Sequence, residues 1–138
     1  MGASGMLTDV ELELMTILWR IGPATVREVI EALPAGRNLA YTSVSTMLRI
    51  LTRKGFVTSA AVPRTTFNLG PVSFAHKTHR YTPAIEKRDY EGRSLSHIVN
   101  GLFEGDPKAL VRSLIETSDL DPDELASIKK LLDRKAKR

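Results

Sequence analysis

The sequence predicts a mainly α fold with a small β-wing: a winged helix-turn-helix domain followed by a helical dimerisation domain. Three observations carry that expectation. Apolar residues recur at three- and four-residue spacing in six separate runs, most of them bounded by capping residues, glycine or proline. Two short β-prone segments, ended by Pro83, interrupt this pattern after the third run. Between Glu31 and Glu86 there is no acidic residue, while seven Lys and Arg occur there.

The elements follow in order. Thr8-Asp9-Val10-Glu11 is a capping box, and it opens a helix through Val10, Leu14, Ile17, Leu18 and Ile21. Leu12, Met15 and Trp19 widen its apolar face, and Gly22-Pro23 stops it. Thr25-Val26-Arg27-Glu28 repeats the box and opens a short helix carrying Val29, Ile30 and Leu33, closed by Pro34. After the turn Ala35-Gly36-Arg37-Asn38, a third helix is expected from about Leu39 to Lys54, ended by Gly55, a residue suited to the left-handed position after a helix.

At 100° per residue the third helix separates into two faces. Val44, Met47, Leu48 and Leu51 form a core stripe, and Thr42, Thr46, Arg49 and Arg53 lie opposite. An ordinary solvent face mixes Glu with Lys to form ion pairs. This one has hydroxyls near its start, arginines further on and no acid, as a DNA recognition helix requires: short side chains allow close approach to base edges, and Arg forks onto guanine or phosphate. Phe56–Val62 and His79–Thr82 are the expected ribbon strands. Three helices and a ribbon give the winged helix-turn-helix order, with the ribbon beside the recognition helix.

The second part reads as helical. One helix is expected over about Ile85–Phe103, with Tyr90, Leu95, Ile98, Val99, Leu102 and Phe103. Asp106-Pro107 opens the next, with Leu110, Val111, Leu114 and Ile115, and Asp121-Pro122 opens the last, with Leu125, Ile128, Leu131 and Leu132. Three helices in so short a stretch do not easily cover these faces in one copy, so exchange across a two-fold axis is expected. The dimerisation candidates are Leu95, Ile98, Val99, Leu102, Phe103, Leu110, Leu114, Leu125, Ile128 and Leu132. The expected boundaries are a flexible leader at 1–6, the DNA-binding domain at 7–83 and the dimerisation domain at 84–138.

Composition narrows the function. The chain has 138 residues, a formal charge of +4 and no cysteine. Disulfides, thiolate metal sites and a cysteine nucleophile are thereby excluded. Up to Pro83 there are nine basic and five acidic residues, and beyond it eleven of each, so the whole excess lies in the first part. Such a cationic block suits a polyanion, because Lys and Arg set against phosphates release condensed counterions. No apolar run approaches the ~20 residues of a membrane span, and no signal peptide is legible; a cytoplasmic location is expected.

The run Leu7-Thr8-Asp9-Val10-Glu11-Leu12-Glu13-Leu14-Met15-Thr16-Ile17-Leu18-Trp19 resembles the opening of the BlaI/MecI-type penicillinase repressor family of bacterial transcriptional regulators. The likeness continues in Ala24-Thr25-Val26-Arg27-Glu28-Val29, in Leu39 through Leu48, in Lys54-Gly55-Phe56-Val57, in Arg80-Tyr81-Thr82-Pro83 and in Leu120 through Leu125. The resemblance implies a homodimer that binds inverted-repeat operators through an N-terminal winged helix and blocks transcription until induced. It places the recognition helix at Tyr41 through Lys54, with Thr42, Ser43 and Thr46 at its DNA-facing start.

Four departures stand out. Ile50 replaces the second member of the family's frequent basic pair beside Arg49. The wing from Gly55 to Tyr81 holds about a dozen residues more than usual, and this insertion between Val62 and His79 includes Arg64 and Lys77. The Asn-Phe bond cleaved in the antibiotic-responsive branch corresponds to Ser113-Leu114. The copper-responsive branch uses a cysteine cluster, which this chain lacks.

The candidate DNA contacts are therefore Thr42, Ser43, Thr46 and Arg49 for bases, and Arg53, Lys54, Arg64 and Arg80 for phosphate. His76 and His79, three apart near the return strand, point to opposite faces of a strand and make a poor metal pair. No catalytic motif is present, so neither an enzyme nor a cofactor is expected. The rival readings are a winged-helix protein-docking module, which would show no preference between palindromic and scrambled duplex, and an RNA binder, which usually exposes more stacking aromatics than the cationic segment offers.

Overall fold

The computed structural model describes residues 5–62 and 78–137. It divides into two compact units, Met1–Gly92 and Arg93–Arg138.

The first unit begins with α1 (Asp9–Ile21), β1 (Ala24–Thr25), α2 (Val26–Glu31) and α3 (Tyr41–Lys54), and then adds β2 (Val57–Val62) and β3 (Thr78–Pro83). This is the order of a winged helix-turn-helix unit. Both expected capping boxes form. The Thr8 hydroxyl accepts from the Glu11 N–H while the Glu11 carboxylate accepts from the Thr8 N–H, and Thr25 and Glu28 repeat the exchange at α2. Each box satisfies two of the N–H groups that a helix start leaves orphaned. Gly55 takes the left-handed conformation, φ 88°, at the end of α3, where a Cβ would be strained.

Leu14, Met15, Leu18, Val29, Val44, Leu48, Leu51 and Phe56 are wholly buried, and Ile17, Ala24, Val26, Val57, Tyr81 and Tyr90 complete the core. Three residues of the expected α3 stripe thus lie at its centre, with Met47 packed at its edge. On α1, Leu12 and Ile21 depart from expectation and remain exposed.

The sheet is antiparallel in the order β1-β3-β2. Sequence reading expected two strands; the third, β1, is a two-residue segment pairing Ala24 with Tyr81 and Thr25 with Arg80. On the other edge Ser59 faces Tyr81 and Ala60 faces Arg80. Alternation along β3 turns Tyr81 into the core and Arg80 to the other face.

Helix α4 (Lys87–Leu102) starts two residues later than expected. Ile85 is held instead by the Trp19 indole, which donates to its carbonyl at 2.8 Å, and the Tyr90 N–H then donates to the Glu86 carbonyl. Tyr90 packs on Phe56 and Trp19 with ring centroids 5.8 and 5.9 Å apart, and its hydroxyl accepts from the Leu7 N–H.

The second unit comprises the remainder of α4, then α5 (Pro107–Thr117) and α6 (Pro122–Ala136). Asp106 and Asp121 cap α5 and α6 with proline in the first turn. Among the described residues no helix is long and apolar enough to cross a membrane.

Candidate nucleic-acid interface

Helix α3 is strongly amphipathic, and its outer face is the candidate interface. Thr42, Ser43, Thr46, Arg49 and Arg53 are all exposed. Thr42, Thr46, Arg49 and Arg53 recur at spacings of four, three and four, so they form one stripe over about 16 Å of helix. Arg49 leans towards Thr46, its Nη2 lying 3.5 Å from the Thr46 Oγ1. The Tyr81 phenol is pushed above its ordinary pKa by burial, which the nearby Arg49 cation opposes and Tyr41 reinforces. Arg49 therefore lies within electrostatic reach of Tyr81 on β3.

The seven basic residues of the acid-free stretch are not equivalent. Arg37, in the turn before α3, makes a two-pronged ion pair with Glu13 on α1, Nε to Oε2 and Nη2 to Oε1 both at 2.9 Å. Hydrogen bonding to Arg37 holds the Glu13 carboxyl below its ordinary value. Lys54 is also paired: its Nζ lies 2.8 Å from Oε1 of Glu11, a residue only 2% exposed. Burial opposes ionisation of Glu11, but hydrogen bonds from Lys54 and Thr8 outweigh it and hold the carboxyl below its ordinary value.

Arg49, Arg53 and Arg80 form no ion pair among the described residues. Arg80, exposed on β3, stands within electrostatic reach of Glu28, whose carboxyl is lowered chiefly by the Thr25 backbone N–H and slightly by Arg80. Arg64, Lys77 and His76 lie outside the described residues. His79 is exposed on β3, and the described residues hold no cluster of three or more metal-ligating side chains.

The structure thus brings Thr42, Thr46, Arg49 and Arg53 onto one face and places Arg80 on the sheet beside α2. Lys54, a quarter-turn or so round α3 from Arg53, turns towards α1. Sequence reading missed both ion pairs, whose partners are 24 and 43 residues apart. It also gave no role to Arg20, which donates to the Ala32 carbonyl at the end of α2 and ties that end to α1.

In the second unit no described residue is buried. Leu95, Ile98, Leu102, Leu114, Leu125 and Leu132 are exposed, Leu102 at 73%. Val99, Phe103, Leu110 and Ile128 are half-buried. A shallow apolar groove runs between α5 and α6 past Val111, Ile115 and Leu132.

A family model described as penicillinase repressor matches residues 7–68 and 72–134. The methicillin resistance regulatory protein MecI of Mammaliicoccus sciuri is 22% identical over 129 residues, covering 94% of this chain and 94% of that protein. The transcriptional regulator BlaI of Mycobacterium tuberculosis is 41% identical over 84 residues, 60% of this chain and 51% of that protein. The solution structure of the monomeric form of Bacillus licheniformis BlaI in complex with the blaP half-operator has a TM-score of 0.46 at 27% identity, covering 65% of this chain and 94% of that one.

Proposed function

The chain belongs to the penicillinase repressor family, and from that premise we propose that it is a transcriptional repressor that binds inverted-repeat operator DNA as a homodimer. The observation that carries this reading is the exposed, acid-free stripe of α3, where two hydroxyls lead to two arginines with no ion-pair partner among the described residues. Unpaired guanidinium groups are free to fork onto guanine or phosphate without first giving up a carboxylate.

In this reading α3 enters the major groove. Thr42, Ser43, Thr46 and Arg49 meet base edges, and Arg53 and Arg80 meet phosphates. The uncovered apolar faces of α4, α5 and α6 support pairing with a second copy, which would place two recognition helices on successive half-sites about one helical turn apart. The domain division proposed is a DNA-binding part to about Pro83 and a dimerising part beyond. Release from DNA by cleavage at an Asn-Phe bond has no counterpart in this sequence, since α5 carries Ser113-Leu114 at that place.

The test is titration of the full chain with duplexes selected from a randomised palindromic pool and with their scrambled versions, at several salt concentrations. Repressor function expects a specificity ratio of ~10³ or more. Equal affinity for both duplexes would overturn the reading in favour of a protein-docking module.

A further inference from the structure

Two adjacent cations end the recognition helix, and their surroundings differ. Arg53 lies on the exposed stripe and has no ion-pair partner among the described residues. Lys54, about 100° further round, has a side chain one-third exposed and its ammonium 2.8 Å from the Glu11 carboxylate. The same Glu11 oxygen accepts the Thr8 N–H, also at 2.8 Å. One buried carboxylate oxygen therefore holds both the first turn of α1 and the last residue of α3. Immediately beyond, Gly55 reverses the chain and Phe56 enters the core, its N–H donating to the Leu51 carbonyl.

We infer that Lys54 is a positioning residue of the DNA-binding unit: its cation is committed to Glu11 and fixes the end of the recognition helix against α1, leaving phosphate contact at this end to Arg53. This rests on the operator-binding reading above. Moving Lys54 onto a phosphate would strand a buried carboxylate without its counter-charge, a loss that any phosphate contact would first have to offset. Arg53 faces no such cost. The Glu11–Lys54 pair also has no net charge, so it contributes little to counterion release, whereas each free cation set on a phosphate contributes fully.

The experiment compares the parent with Arg53→Gln, Lys54→Gln and the double variant Glu11→Gln/Lys54→Gln. The double variant is the decisive one, because a neutral amide pair keeps the capping acceptor and leaves no buried charge alone should Lys54→Gln fail to fold. Binding is measured against salt on a palindromic duplex selected by the parent and on its scrambled version. Arg53→Gln is expected to lower the log–log salt slope by about 1.8, roughly 0.9 for each of the two copies on the palindrome. The double variant is expected to keep the parent slope while its selected-over-scrambled ratio falls about tenfold, the scale of one disturbed base contact.

A slope reduced by about 1.8 in the double variant, roughly 0.9 for each copy, would make Lys54 a phosphate contact and overturn the inference. So would an unchanged slope with an unchanged ratio, which is the behaviour of a brace that does not position the helix. Failure of the parent to select any palindrome would instead defeat the operator reading, and the slopes on random duplex would still assign Lys54.

Discussion

The indole N–H of Trp19 donates to the carbonyl of Ile85 at 2.8 Å, across 66 residues. Helix α1 thereby grips the chain where it leaves β3, and the same indole packs on Tyr90 at the start of α4. Trp19→Phe keeps an aromatic ring but removes the donor. It should lower the unfolding free energy by about 1 kcal/mol, read by circular dichroism as an earlier urea midpoint with an unchanged slope. A midpoint equal to the parent's would mean that the bond contributes nothing net.

Thr46 and Arg49 stand together on the outer stripe, with Arg53 one turn on. Thr46→Ala should erode discrimination between operator and random duplex by ~1 to 3 kcal/mol. Arg53→Ala should instead weaken binding to all sequences alike and flatten the salt dependence. The two effects separate in one set of salt titrations. A specificity ratio unaltered by Thr46→Ala would remove that residue from the base contacts.

Stability should fall in acid through Glu11. Its carboxyl ionises more readily folded than unfolded, because Lys54 and Thr8 outweigh the cost of burial. A depressed folded value means that the contribution is fully present above the unfolded value and is lost as pH falls through the folded one. Urea midpoints should therefore decline from about pH 5 downward, and more steeply in the parent than in Glu11→Gln. Parallel pH profiles for the two proteins would show that Glu11 does not drive the loss.

What the sequence made legible was what a few neighbouring residues decide. The Thr8 and Thr25 capping boxes close within three residues, and the two faces of α3 follow from periodicity, so both could be read directly. Strand β1 could not, because two residues have no period; Ala24 and Thr25 are a strand only because β3 offers its edge. Ile85 reads as helical by pattern but is drawn away by Trp19. The sorting of cations was equally hidden. Seven basic residues look alike in a sequence, and only folding sets Arg37 on Glu13 and Lys54 on Glu11.

The second unit supplies the last expectation. Leu102 is 73% exposed, and Leu114 and Leu132 are more than half exposed, so an acidic residue at any of them adds no buried charge to a single copy. Surface substitutions of that kind usually move stability by less than ~0.5 kcal/mol. If these faces meet a second copy, the same change buries an unpaired carboxylate in the interface and should dissociate it. Leu102→Asp should thus leave the helical circular dichroism intact while sedimentation equilibrium shifts from twice the chain mass to once. Binding to a full palindrome should weaken by ~10² to 10⁴, since the second half-site no longer benefits from linkage, while binding to an isolated half-site stays as in the parent. A Leu102→Asp chain that still sediments as a dimer would place the contact on other residues, and one that loses its helicity would show Leu102 serving the fold of its own copy.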